Sequence, residues 1–207
     1  MKKVKIYVEN VHCENTEDVT GADDFYLMGD VFVTSNEHNR GIAHGFQTKC
    51  VHINDHENRK PNECRYHEII KRNNFDNKPA HKAGTLNNGL IFEQEVQDWE
   101  NIVLSLQGYD EDAANSWANA TSNVSAIAMA VMSCFEKLSA LGPWSIAVSA
   151  LAIIIGLDKD DKLGESTFAV GHDRYGTYKL SSWNFRHGNW WSGWNYTVDL
   201  RVVIEKI

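Results

Sequence analysis

Apolar and polar positions alternate from the first residues of the chain. Val4-Lys5-Ile6-Tyr7-Val8-Glu9-Asn10-Val11 has period two and is rich in β-branched residues, which predicts a strand with one buried face. Polar residues then gather from Glu14 to Asp24, with Gly21 as a turn residue, before a second strand from Phe25 to Thr34 interrupted at Gly29. Ser35 to Gly45 reads as a loop or hairpin punctuated by Gly41 and Gly45, Phe46 to Ile53 as a strand, and Asn54 to Lys60 as a turn. From Asn62 to Asn88 the periodicity weakens among Asn, Lys and His, and no element is predicted there. Gly89 to Val96 and Asn101 to Gln107 are again strands. Short strands with turns at regular spacing favour an antiparallel sandwich.

The period changes at Ala113. Val124, Ile127, Ala128, Val131, Met132, Phe135 and Leu138 fall at three- and four-residue spacing, which predicts an amphipathic helix. Leu141-Gly142-Pro143 ends it, and Trp144 to Leu157 reads as a second, more uniformly apolar helix. Strands return at Ser166 to Val170, Tyr178 to Trp183 and Tyr196 to Ile204. The organisation expected is one domain over residues 1–207 with a helical hairpin, 113–157, inserted in it.

That hairpin separates two acidic stretches. Tyr109-Asp110-Glu111-Asp112 closes the run Ile102-Val103-Leu104-Ser105-Leu106, and Asp158-Lys159-Asp160-Asp161-Lys162-Leu163-Gly164 follows the second helix. On an extended strand Asp110 and Asp112 share a side, with Glu111 facing away. Two carboxylates about 4 Å apart repel by about 4 kcal/mol at an effective dielectric near 20. A loop that gathers several of them is relieved by a hard cation with six to eight oxygen ligands, which points to calcium. The alternatives are two unrelated solvated loops, or magnesium with fewer protein ligands.

The acidic pattern resembles the C2 domain, a sandwich of eight strands that binds calcium at one end and, in many members, phospholipid headgroups. Asp18, Gly21 and Asp24 fall at i, i+3 and i+6 before Phe25-Tyr26 and a strand, as in the family's first calcium loop. Asp110 and Asp112 match the Asp-x-Asp of its third loop, and Asp161-Lys162-Leu163-Gly164 matches the closing Asp before an Ile/Leu-Gly pair. The resemblance implies a mainly β, C2-like antiparallel fold with Asp18, Asp24, Asp110, Asp112 and Asp161 as calcium ligands. It implies a calcium-regulated binding module for lipid headgroups or a protein partner. The chain departs from the family in Phe25, where a Pro is usual, and in the hairpin that splits the third loop.

Composition adjusts this picture in a few places. The net charge of −8, with 20 Lys and Arg scattered along 207 residues, argues against a nucleic-acid partner. No run of about 18 apolar residues predicts a membrane span. Met1-Lys2-Lys3-Val4-Lys5 leads into a strand instead of an apolar signal core, so the expected location is the cytoplasm or release without a cleavable signal, and the four cysteines are read as free thiols. The hairpin, with Trp117, Met129, Met132, Trp144 and Ile153-Ile154-Ile155, either packs on the sandwich or touches a membrane; a toxin-like, membrane-perturbing protein is the alternative function.

Cys50, His52, His56, Cys64 and His67 offer zinc-type donors without a known finger spacing. Trp183, Phe185, Trp190, Trp191, Trp194 and Tyr196 are read as core and cross-strand pairs, or as a sugar-stacking platform. No phosphate loop, serine elbow or metalloprotease motif appears, so the expectation is a protein that is not an enzyme.

Overall fold

The computed structural model of the chain describes residues 1–16, 21–35, 40–71, 80–111, 116–138, 161–189 and 192–207. Alternating sequence yields long strands. β1 (Lys2–Asn15) buries Val4, Ile6 and Val8 while Lys3, Lys5 and Tyr7 stay half-exposed between them. The first sheet also holds β5 (Glu57–Arg59), β8 (Leu90–Val96), β11 (Gly176–Asn189) and β12 (Ser192–Lys206), in the order β11-β12-β1-β5 with β8 also paired to β1. The second runs β10 (Asp161–Ala169), β9 (Asn101–Asp110), β2 (Asp23–Ser35), β3 (Arg40–Thr48), β6 (Glu63–Lys71) and β7 (Ala80–Asn87), with β4 (Val51–Ile53) paired to β2. All these pairings are antiparallel. The fold is therefore a mainly β, two-sheet antiparallel sandwich, consistent with the C2-like expectation, with twelve strands among the described residues where eight were expected.

β2, β3, β6 and β9 of the second sheet each contribute to two separate layers. Odd positions of β2, namely Phe25, Leu27, Val31 and Val33, join Val4, Ile6, Phe92, Leu104 and Val202 in the core between the sheets. Even positions, Tyr26, Met28 and Phe32, join Ala43, Ile69 and Tyr109 beneath α1 (Ser116–Leu138). The helix buries the predicted stripe, Val124, Ile127, Ala128, Val131, Met132 and Phe135, on that outer face. A fully buried side chain of this size stabilises by about 1.5–3 kcal/mol, so the helix belongs to the fold. The second predicted helix lies outside the described residues.

Four expectations need correction. Asn54 to Lys60, read as a turn, turns only at Asp55-His56 and then forms β5, paired to β1. Gly41 and Gly45 lie inside β3 instead of punctuating a loop. Gly45 is needed because a Cβ there would stand 2.3 Å from the Val124 carbonyl oxygen, so only glycine lets α1 come this close. Gly29 does not interrupt β2. The Asn62–Asn88 stretch, given no element, holds β6 and β7; β7 is an exposed edge strand, so no buried face imposes an apolar period on it. At its end Asn88 and Gly89 both take positive φ, 60° and 73°, and carry the chain over to β8 in the other sheet.

Candidate functional site

The acidic end is assembled by strand register. β2 lies between β4 and β9, so Asp24 stands opposite His52 while Phe25 stands opposite Asp110. β10 pairs with the other side of β9 and sets Asp161 opposite Asp110. The Asp24 N–H donates to Asp110 Oδ1 at 2.8 Å, and the Glu111 N–H donates to the Asp24 carbonyl at 3.1 Å. Two acidic stretches 86 residues apart in sequence thus close on each other at one end of the sandwich.

The environments of the acids differ. Asp110 is 6% exposed, whereas the Asp24 carboxylate is half-exposed and sits 2.9 Å from His52 Nδ1. Glu111 accepts from the Cys50 thiol, so it points elsewhere than Asp110, as alternation predicts. Asp23, which the sequence reading passed over, is 1% exposed and accepts from the Tyr196 hydroxyl. Burial and the Asp23 carboxylate push the Tyr196 hydroxyl far up, so it stays a donor. Below the acids, Phe25 stacks on Phe185 and Tyr196 at ring distances of 6.0 and 5.0 Å and closes the space between the sheets.

Of the five predicted ligands, Asp24 meets Asp110 through its backbone N–H while its own carboxylate turns to His52, and Asp161 stands opposite Asp110 by backbone register; Asp18 and Asp112 lie outside the described residues. Among the described residues no three His, Cys, Asp or Glu side chains converge as a metal site. The donors on β2 and β9, Asp24 and Asp110, are hard carboxylate oxygens of the type calcium takes.

The zinc-type residues do not assemble. Cys64 is 1% exposed in the core with its thiol pushed up by burial, His52 faces Asp24, His56 faces Glu14, and His67 lies beside His81. Among the described residues the late aromatics form core and cross-strand pairs. Trp183, Phe185 and Tyr196 are buried and stack on one another, and the Trp194 indole N–H donates to the Leu163 carbonyl. Trp190 and Trp191 lie outside the described residues.

Sequence reasoning missed a second polar region entirely. His44 on β3, Glu68 on β6 and Lys82 on β7 are cross-strand neighbours in one row on the inner face, at the side of the sandwich away from the acids. They border a cleft of about 900 Å³ between the sheets. Its floor carries His44 and Glu68, each about 1% exposed. No local spacing announces the row, since its members are 24 and 14 residues apart and only pairing joins them.

No protein-family model and no curated protein matches this chain. Among solved structures, one titled "Structure of a C2 domain" matches over 100% of both chains with 13% identity and a TM-score of 0.36. A superposition that loose has no weight beside the strand order and register described above. Among the described residues no helix is long and apolar enough to cross a membrane.

Proposed function

We propose that the chain is a calcium-regulated binding module whose acidic end takes the ion and whose partner is an anionic lipid headgroup or a protein acid. The observation that carries this reading is the Asp24 amide bound to the Asp110 carboxylate, with Asp161 next in register. Asp24, Asp110 and Asp161, with Asp18 and Asp112, are the residues that would hold calcium, and the ion would supply positive charge at that end.

The chain's own part follows from electrostatics. Clustered carboxylates on a chain of net charge −8 repel anionic surfaces. Neutralising them removes that repulsion and favours one arrangement of the loops. The Asp110–Asp24 bond fixes one carboxylate against rigid backbone before any ion arrives, which lowers the cost of ordering the rest. A membrane-perturbing role for the hairpin has less support, because the apolar stripe of α1 is already covered by the sheet.

Calorimetric titration of calcium into the full chain tests the proposal. Binding to the folded state alone should stabilise by about 2.7 kcal/mol at a hundredfold excess over Kd. Asp110→Asn keeps an acceptor for the Asp24 N–H while removing a charge, so it should retain the fold and weaken calcium about tenfold or more. A flat titration, with a melting temperature indifferent to calcium and chelator, would end the reading. So would equal affinity in Asp110→Asn and Asp24→Asn.

A further inference from the structure

The cleft holds charged and polar atoms that the fold itself leaves unused. His44 Nδ1 stands 3.3 Å from Glu68 Oε1, yet neither ring nitrogen of His44 has an aligned hydrogen-bond partner, and neither does Glu68 Oε2. A buried polar atom without a partner is destabilising, and several lie here side by side. The walls are built firmly around them. The Tyr66 ring stacks on His44 at 4.9 Å with planes 8° apart, and Phe92 meets the imidazole edge-on at 5.3 Å. Gly84 on β7 leaves room for that tyrosine: a Cβ would press on its ring at 3.1 Å.

The lining is balanced in charge. Lys3, Arg40 and Lys82 stand against Glu68, Glu93 and Glu95, with Lys3 paired to Glu93 and Lys82 the cross-strand neighbour of Glu68. A balanced lining gives an anion or a cation little net attraction. What remains is a set of fixed donors and acceptors in a polar cleft, and that suits hydroxyl groups, each of which can donate and accept. At the rim, Trp99 is 41% exposed and lines the same cleft, offering a flat apolar face to the C–H side of a ring. The volume lies within the range of small-molecule sites.

From these observations we infer that the cleft between β3, β6, β7 and β8 binds a neutral polyhydroxylated ligand of mono- or disaccharide size. Glu68 and His44 take its hydroxyls at the floor, and Trp99 stacks at the rim. The site is independent of the acidic end. Trp99 precedes Asn101 and the acids follow Asp110, so the two lie at opposite ends of β9, about 30 Å apart by strand rise.

The test is calorimetry and thermal melting of the full chain with free glucose, galactose, mannose, N-acetylglucosamine, cellobiose and maltose at millimolar concentration, beside inorganic phosphate and glycine as charged probes. At least one sugar should raise the melting temperature saturably. Trp99→Ala at the surface and the isosteric Glu68→Gln should each weaken it about tenfold or more, with unchanged circular dichroism. Calcium and chelator should leave sugar binding unaltered, which separates this site from the acidic end. The inference is overturned if no sugar binds, if phosphate or glycine binds in their place, or if sugar affinity survives both substitutions.

Discussion

On its inner face the seven-stranded sheet shares one large apolar cluster with the facing sheet, while on its outer face it carries a smaller patch that α1 covers. The inner layer draws on both sheets and closes on stacked aromatics at the acidic end. The outer layer depends on close approach, because α1 crosses β3 where glycine replaces a side chain. It also encloses polarity: alternation puts Asp30 on this face, and its carboxyl oxygens and the hydroxyl of its cross-strand neighbour Ser105 are buried without a well-aligned hydrogen-bond partner. The inner face therefore holds the fold by bulk, and the outer face holds it by fit.

Breaking each face in turn should expose that difference. Phe25→Ala removes a fully buried ring from the aromatic stack and should cost about 3–5 kcal/mol in denaturant titration. A loss no larger than that of a surface substitution would mean the stack does not seal this end. Gly45→Ala should cost about 1–3 kcal/mol, since its methyl meets the Val124 backbone and α1 must shift. Far-ultraviolet dichroism should show the helix loosening while the sheets persist; an unchanged helix signal would argue that α1 tolerates a wider seat.

Asp30→Asn should act in the opposite direction. Burial holds the Asp30 carboxyl well above its ordinary range, so the folded chain binds this proton more tightly than the unfolded chain. The stability this lends is complete below about pH 3.9 and is lost as pH rises through the folded-state value. At neutral pH the asparagine should therefore stabilise, by about 1–3 kcal/mol, and the gain should shrink toward pH 4 in melts across that range. A destabilised variant at pH 7 would show that the carboxylate is held charged.

The smallest effect is chemical. All four cysteines are free; Cys13 and Cys64 belong to the inner core, and Cys50 and Cys134 edge the outer one. Burial pushes the Cys13 thiol up to about 12. A thiol reagent at pH 8 should modify Cys50 and Cys134 in the native protein and reach the other pair only on unfolding. Equal rates for all four would erase the distinction between the faces.

Where one face is buried and the other wet, the chain reads plainly: β1, β8, β12 and the α1 stripe follow their apolar period. β3 did not, because both its faces are covered and its glycines answer to a helix 80 residues away instead of to a turn. β7 did not because neither face is buried. That the segments carrying Asp24 and Asp110 adjoin was legible through the spacing of acids around predicted strands. Asp23 was not, since its partner Tyr196 comes from the far end of the chain. The His44–Glu68–Lys82 row exists only in the register of three strands, which one-dimensional spacing does not encode.

β1 and β12 lie side by side, with Lys2 opposite Lys206. The first and last strands therefore finish at the same corner of the molecule. A force drawing those two points apart would load the ladder one rung at a time from Lys2 inward, in the manner of a zip, and not all rungs together. Mechanically the sandwich should open at low force from that corner.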